Sequence, residues 1–598
     1  MILIFGGTTE GRLAVKTLDE GEGRYFYSTR SDVQKVECGH GEHIYGAMDQ
    51  ESMVAFCRSH DIRLIVDASH PFASLLHNTI GKVAETLEVP VVRLERRYPT
   101  VDYTGIVMCG SFEEAMRLME QEKVKCLLAL TGVQTMERLK PYWTKHTTWF
   151  RILRRAESFN KALQTGFPTE RLVYFDDTTA NTSSMVELIK PDAIITKESG
   201  ESGGFMDKIA AARKYDIKVF VVARPKLPEN FIVVDGRHGL RREIEKLLPE
   251  FYQLHTGFTT GSCATAAAKA ALTALMTGKI LKKVYFRIPE GETMHMDIES
   301  VMLDGGNAQA SVIKDAGDDP DVTNKSRIKV KISYAFHTGI RFHGGEGIGT
   351  VTLPGLGVKV GEAAINPVPR TMITNELSSL YAGGLDVTIS LEGGEQLALK
   401  TFNPRVGVVG GVSIIGTSGI VRPFSHQAFI NSIRREMEVA MAIDCHMVVV
   451  NSGGKSERYM KNLFPELPQQ AFIHYGNAVG DTMRIAQECG VKHMAIGLML
   501  GKAVKLAEGN MDTHSHRVTL NKEFLKMVAQ ESGCSEKVKL VIGKLTLARE
   551  LPLLLTPDDA RRFFSALLKM CHSRCAELFS GRLEAVLIAD DGEILNRI

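Results

Sequence analysis

Ile2-Leu3-Ile4-Phe5-Gly6-Gly7-Thr8-Thr9-Glu10-Gly11 opens the chain with an unbroken apolar run that ends in a Gly/Thr turn. A short apolar run without polar alternation is the pattern of a strand buried on both faces, as in parallel sheets. Glycines let the backbone come close to a diphosphate, and the N–H groups at the start of a following helix suit its negative charge. The stretch therefore predicts the first strand, turn and helix of a dinucleotide-binding domain, with Gly6, Gly7, Thr8, Thr9, Glu10 and Gly11 at the cofactor. The spacing departs from G-x-G-x-x-G, so an ordinary strand-to-helix turn fits the same residues. Its place at the first strand of an alternating domain favours the cofactor.

Working outward, apolar runs at Leu64 to Asp67, Val89 to Leu94, Cys126 to Leu130, Ala193 to Thr196 and Val219 to Ala223 alternate with helical patterns at Arg12 to Asp19, Leu75 to Leu87 and Met206 to Tyr215. This rhythm predicts, over residues 1–250, a Rossmann-like, doubly wound parallel sheet in two lobes. Residues 251–598 read as an α+β multi-domain part: an Ala-rich helix from Ala264 to Leu275, strands near Lys283 to Ile288, Ile328 to Ala335 and Leu385 to Leu391, and a renewed βα rhythm from about Met437 with strands at His446 to Val450 and His493 to Leu500. A chain of 598 residues exceeds what one core supports.

In the front part the second strand, Tyr25 to Ser28, leads to Arg30, where an acidic residue often meets the ribose of NAD. Arg30 suits a 2′-phosphate and tilts the expectation toward NADPH, with NADH left open. Leu64 to Asp67 delivers Ser69 and His70 to a strand's carboxyl end, where open α/β sheets bind ligands. The alternative is that Asp67 and Ser69 cap the next helix while His70 packs.

In the back part Thr256, Thr259, Thr260 and Ser262 gather hydroxyls at the start of the Ala-rich helix, a geometry that suits a carboxylate; N-capping by Ser262 is the plainer alternative. Cys263 lacks a basic partner in sequence and reads as a small buried residue. Asp315, Asp318, Asp319 and Asp321 concentrate four carboxylates in seven residues, a cluster that suits a cation or the steering of protons, or a solvated turn. In Val406 to Gly419, Gly410, Gly411, Ser413, Gly416 and Thr417 suit an adenosyl cofactor, and tight packing against another strand explains the same glycines. Asn451-Ser452-Gly453-Gly454-Lys455-Ser456 mimics a phosphate loop, but Val449 stands where its first Gly is required, which excludes a nucleotide triphosphatase. Lys455 and its loop still suit a carboxylate.

A net charge of +2, without a Lys/Arg block, argues against nucleic acid as partner. No apolar stretch of about 18 residues is present, which argues against a membrane span. The abrupt apolar start lacks the pattern of a signal peptide, and ten dispersed cysteines suit a reducing compartment, so the cytoplasm is expected. Cys571, His572 and Cys575 fall within a helical pattern, Asp559 to Leu578, with no second ligand pair nearby; no protein-bound metal is expected.

The front part resembles the precorrin-6A and cobalt-precorrin-6A reductases. The resemblance rests on Gly6 to Gly11, Asp67 to Ala73, Thr196-Lys197-Glu198-Ser199-Gly200 with Gly203-Gly204, and Val221 to Pro225. The back part is similar to the cobalt-precorrin-5B (C1)-methyltransferases through Thr256 to Ala264, Ala364-Ile365-Asn366-Pro367-Val368-Pro369-Arg370, the 406–419 run, Asn451 to Ser456, Gly501 to Ala507 and Thr513-His514-Ser515. Ser262 and Ser418 stand where those methyltransferases commonly have Thr. These resemblances imply a bifunctional enzyme of cobalamin biosynthesis: S-adenosyl-L-methionine methylates a cobalt-corrinoid tetrapyrrole at C1, and NADPH or NADH then reduces the product. They also imply that Thr131, Gly132 and Lys197 complete the reductase pocket, and that Asn366 and Arg370 join the methyltransferase's substrate site. His343 and His514 are proton-acceptor candidates, since imidazole titrates near neutrality. A tetrapyrrole carrier without chemistry, or a generic dehydrogenase fused to a binding module, are the competing readings, and a homo-oligomer is left open.

Overall fold

The computed structural model describes residues 1–30, 36–98, 102–175, 182–514 and 520–598. The chain divides into two compact units, Met1–His255 with Glu292–Met294, and Thr256–Gly291 with His295–Ile598.

The first unit contains two six-stranded parallel sheets. In the first, Ile2–Phe5 lies between Tyr25–Thr29 and Leu64–Asp67, with Gly41–Tyr45 beyond the former and Val91–Glu95 then Phe231–Asp235 beyond the latter. Ile2, Leu3 and Ile4 have no exposed surface because helices cover both faces: Ile2 and Ile4 pack with Ala14, Val15 and Leu18, Leu3 and Phe5 with Ile80, Val83 and Ala84. The helix leaving Ile2–Phe5, Thr9–Leu18, thus lies on one face, and the helix leaving Leu64–Asp67, Ser74–Leu87, on the other. Adjacent parallel strands whose chains depart in opposite directions open a crevice at their carboxyl ends.

The second sheet has the order Ile106–Cys109, Lys218–Val222, Ala193–Lys197, Cys126–Ala129, Thr147–Leu153, Leu172–Phe175. It repeats the arrangement: the segment after Cys126–Ala129 packs through Met136 and Leu139 on one face, and Phe205–Lys214, the helix after Ala193–Lys197, packs through Phe205 and Ile209 on the other. The last strand, Phe231–Asp235, returns to the first sheet beside Val91–Glu95, so the chain crosses between the lobes twice.

In the second unit the helix Thr260–Thr277 packs against a five-stranded mixed sheet, Ser300–Asp304, Asn307–Ile313, Arg327–Ala335, Gly384–Leu391 and Ile340–Gly344. Its alanines, Ala264 to Ala274, are almost all without exposed surface, the small side chains that a helix needs to sit close on a sheet. The helix begins earlier than the Ala-rich pattern suggested because Thr259 is its N-cap, accepting from Ser262 N at 3.2 Å. The plainer alternative, Ser262 as the cap, does not hold: Ser262 lies in the first turn and gives its hydroxyl to Gly419 O at 2.6 Å. A separate sheet follows in the order Phe472–His474, Val448–Asn451, His493–Met499, Arg582–Ile588, Ile594–Arg597, parallel except for its last strand.

Cys571 and Cys575 are buried on the helix Pro557–Ala576, Cys571 donating to Ala503 O at 3.1 Å, so these thiols pack in the core. Cys263 is buried, as expected of a small core residue. Among the described residues no helix is long and apolar enough to cross a membrane.

Candidate functional site

In the first unit, the crevice between Ile2–Phe5 and Leu64–Asp67 gathers the glycine turn and the Ser69-His70 loop. A Cβ on Gly6 would lie 2.2 Å from the Tyr27 ring, and one on Gly11 2.8 Å from the Tyr27 hydroxyl. These two glycines let the helix approach the sheet. Gly7 differs: its φ is +88°, a region that favours glycine, and a Cβ there would meet nothing within 4 Å. Gly7 donates its N–H to the Tyr27 hydroxyl at 2.9 Å and leaves open space above its Cα, beside the first turn of Thr9–Leu18. Thr8 accepts from Gly11 N at 3.0 Å and donates to Ala68 O at 2.7 Å, tying the two strand ends together. Thr9 is exposed. Arg30 is exposed just past Tyr25–Thr29, and Glu10 is engaged by Arg96 Nε at 3.2 Å.

Beneath His70 lies a buried ionic network. Asp67, without exposed surface, accepts from Ser69 N at 3.0 Å and Ser69 Oγ at 2.6 Å and pairs with Arg93 at 3.0 Å; His77 stands 3.3 Å away. Asp67 and Ser69 therefore do not cap Ser74–Leu87, whose N-cap Ala73 makes no side-chain bond. His70 Nδ1 accepts from Phe72 N at 3.1 Å, which leaves its proton on Nε2. The residue is exposed at the surface of the unit, yet burial of its imidazole in the crevice, followed by the nearby Arg96, Lys197 and Arg93, pushes its pKa down to about 3. The imidazole is neutral at every physiological pH.

The facing lobe contributes cations. Lys197 ends its strand 5.3 Å from the Phe72 ring, and burial, with Arg138 adding, lowers its pKa to about 8. Arg96 bridges the lobes, donating to Ser199 O at 3.0 Å. Lys208, 5 % exposed, stands 3.4 Å from Ser199 Oγ, and burial, then Arg151 and Lys197, lowers it to about 7. Thr131 is buried against the Thr135 hydroxyl at 2.6 Å, and Gly132, at φ +82°, opens to free space. Sequence reasoning missed Arg93, Arg96 and Lys208. Arg93 carried a signal, a charge inside an apolar strand, and Arg96 another, its place just past a strand's carboxyl end.

In the second unit the 256–262 loop meets the 412–419 segment. Thr256, Thr259, Thr260 and Ser262 are all buried. Thr260 Oγ1 accepts from Ile415 N at 2.9 Å, so the hydroxyls of Thr259, Thr260 and Ser262 are engaged by protein. A Cβ on Gly416 would lie 2.2 Å from Thr259 Oγ1, and one on Gly411 2.4 Å from Gly347 O. Packing alone accounts for those two glycines, the alternative weighed above, while Gly410 opens to free space. Ser413 donates to Asn403 Oδ1 at 3.4 Å and Thr417 is exposed.

Arg370 is taken by Ile365 O at 2.8 Å and Glu362 at 2.9 Å, and Asn366 occupies the N-cap position of Pro367–Ser378 without a side-chain cap bond. In the acidic loop, Asp315 accepts from Gly317 N at 3.0 Å, Asp318 is exposed, and Asp321 holds the buried Lys314 at 2.7 Å. His343, half exposed on Ile340–Gly344, pairs with Asp386 at 2.8 Å. Lys455 is exposed, 3.7 Å from Asp590. His514 follows Thr513, whose N–H donates to Asn477 O at 3.0 Å, so His514 sits close to the carboxyl edge of the Val448–Asn451 sheet. Ser515 lies outside the described residues.

Residues 1–240 match the family model of the precorrin-6x reductase CbiJ/CobK, residues 249–423 that of CbiD, and residues 512–598 that of the CbiD C-terminal domain. A cobalt-precorrin-5B C(1)-methyltransferase of Prosthecochloris aestuarii is 43% identical over 354 residues, 57% of this chain and 96% of that protein. One of Geobacillus thermodenitrificans is 43% identical over 323 residues, 53% of this chain and 87% of that protein. A solved CobK precorrin-6A reductase is 19% identical, covering 41% of this chain and 96% of that one, at a TM-score of 0.35, too low to add to the assignment. From residue 249 onward the chain belongs to the CbiD family of cobalt-precorrin-5B C(1)-methyltransferases, joined to a segment, residues 1–240, of the precorrin-6x reductase family CbiJ/CobK.

Proposed function

We propose that one chain performs two consecutive steps on a cobalt-corrin precursor. The second unit methylates cobalt-precorrin-5B at ring carbon 1 with S-adenosylmethionine, giving cobalt-precorrin-6A; the first unit reduces that product to cobalt-precorrin-6B with NAD(P)H. The observation that carries this reading is the pairing of crevices in the first unit: open Gly7 and neutral His70 on one carboxyl edge, Lys197 and Arg96 near them.

A bound nicotinamide supplies a hydride, and with a proton at the neighbouring carbon it saturates one ring double bond. Gly7 and the first turn of Thr9–Leu18 suit the diphosphate, and Arg30 suits a 2′-phosphate. Lys197 suits a peripheral carboxylate of the macrocycle, and Arg96, held by Glu10 and Ser199 O, forms the charged wall behind it. His70, its Nδ1 held by Phe72 N–H, offers Nε2–H as a hydrogen-bond donor at the cofactor or ring edge. The buried Asp67–Arg93 pair fixes that loop without itself reaching the substrate.

A bound adenosylmethionine supplies a sulfonium methyl, whose transfer forms a carbon–carbon bond and leaves S-adenosylhomocysteine. Alignment carries most of the rate, so the protein's work is positioning. His343, paired with Asp386 on a sheet strand, and His514, beside the carboxyl edge of the Val448–Asn451 sheet, are the two proton-acceptor candidates. His514→Ala should slow methylation at least tenfold and leave donor binding intact; unchanged turnover would remove it from the site.

The test is mass spectrometry of cobalt-precorrin-5B incubated anaerobically with the purified chain, omitting each cofactor in turn. A methyl gain that needs adenosylmethionine, followed by a two-hydrogen gain that needs NAD(P)H, is expected. No mass change with both cofactors present would contradict the proposal.

A further inference from the structure

We infer that the methyl donor, adenosylmethionine, binds in the crevice between the strands Val448–Asn451 and His493–Met499, an inference that rests on reading the second unit as a methyltransferase. The two strands are parallel neighbours. The helix leaving the first, Gly454–Leu463, packs on one face through Met460 and Phe464. The helix leaving the second, Leu500–Ala507, packs on the opposite face through Ala503 and Val504. This is a topological switch point, the place where open α/β sheets hold ligands.

Glycines with open space above them line this crevice. A Cβ on Gly453, Gly454 or Gly501 would meet nothing within 4 Å, in contrast to Gly411 and Gly416. Gly453 has φ +154°, and Ser456 Oγ accepts from both Ser452 N at 2.9 Å and Gly453 N at 3.2 Å, which holds the turn in shape. At the end of its strand, directly before this turn, Asn451 has no exposed surface, and neither its amide nitrogen nor its amide oxygen has a hydrogen-bond partner. Strand alternation puts its side chain on the face of Val449, the face covered by Gly454–Leu463, at that helix's N-terminal end. A buried amide left unpaired costs about 1–3 kcal/mol.

The chemistry matches the donor at both ends. A primary amide offers a donor and an acceptor side by side, the complement of an adenine edge. The helix start suits the α-carboxylate. Lys502, near the other strand's end, donates to Asn477 Oδ1 at 2.7 Å and to Gly476 O, and burial, then Lys505, lowers its pKa to about 8. Asn477 O in turn receives Thr513 N–H at 3.0 Å, which brings His514 beside the crevice.

The experiment is calorimetric titration of the full chain with adenosylmethionine and with S-adenosylhomocysteine. Gly454→Leu fills open space, so the fold has room for it; Kd is expected to rise at least tenfold with an unchanged melting temperature. Asn451→Leu is expected to weaken binding as well, with a melting temperature that does not fall, because it removes an unpaired buried amide. Wild-type affinity in both variants would overturn the inference while the methyltransferase reading stands, the donor then lying elsewhere in the unit. A wild-type chain that binds neither compound and methylates nothing would overturn both.

Discussion

Two doubly wound crevices in this chain differ in what lies beneath them. Under the first, Asp67 is buried but answered, by Arg93 at 3.0 Å and by Ser69 at 2.6 Å. Under the second, Asn451 is equally buried and unanswered. A paired floor cannot turn to a ligand; it fixes the loop above it, here Ser69-His70, and on the proposed reading binding falls to the crevice's edge, Gly7 and Lys197. An unpaired amide fixes nothing and is free to bond what arrives. On the proposed reading, the same sheet topology supports one site whose specificity is set by surrounding charge and one whose specificity is set from below.

This contrast can be broken most forcefully at Arg93. Arg93→Met leaves Asp67 as an unpaired buried charge and should cost the first unit about 3–5 kcal/mol, opposite in sign to the effect expected at Asn451. Differential scanning calorimetry of the full chain should show this loss in one unit's transition; an unchanged profile would mean the pair is not what holds the floor. A smaller effect belongs to the rim. Lys197→Met should raise KM for cobalt-precorrin-6A about tenfold, roughly 1.4 kcal/mol, with kcat nearly kept. The sign of the pH dependence follows from burial, which lowers the Lys197 pKa to about 8. Below that value the amine is charged and attracts carboxylate. As pH rises through it, wild-type KM should rise, while the Met variant stays flat over the same range. His70, at about 3, should contribute no inflection between pH 5 and 8. The smallest change is expected from Arg30→Ala, a few-fold shift of the NADPH/NADH ratio of kcat/KM toward NADH; an unchanged ratio would take Arg30 out of cofactor selection.

Much of the fold was legible because buried parallel strands write themselves as apolar runs. Leu64 to Asp67 and Ile2 to Phe5 fall where the pattern put them, and the helix expected from Leu75 to Leu87 spans Ser74–Leu87. The return of Phe231–Asp235 to the first sheet was not legible, since nothing local records which strand a distant segment will join. The sites were legible only in part for a related reason. A sequence shows that position 411 or 416 is glycine but not what stands over it, and there the neighbour is protein. Asn451 to Ser456 reads as a failed phosphate loop, because its meaning depends on strand order, Phe472–His474 and His493–Met499 lying on opposite sides of Val448–Asn451. Arg93, Arg96 and Lys208 lay outside or at the margins of the motifs, and only folding brings Arg96 to both Glu10 and Ser199.

The most direct test of the claim that each crevice owns one step is the product mass obtained from two single variants, Gly7→Val and Gly454→Leu, each given cobalt-precorrin-5B and both cofactors. Gly7→Val should yield the methylated, unreduced corrin. Gly454→Leu should leave cobalt-precorrin-5B unchanged yet still reduce cobalt-precorrin-6A when that is supplied. Fully methylated and reduced product from either variant, or loss of both steps from one substitution, would contradict the account.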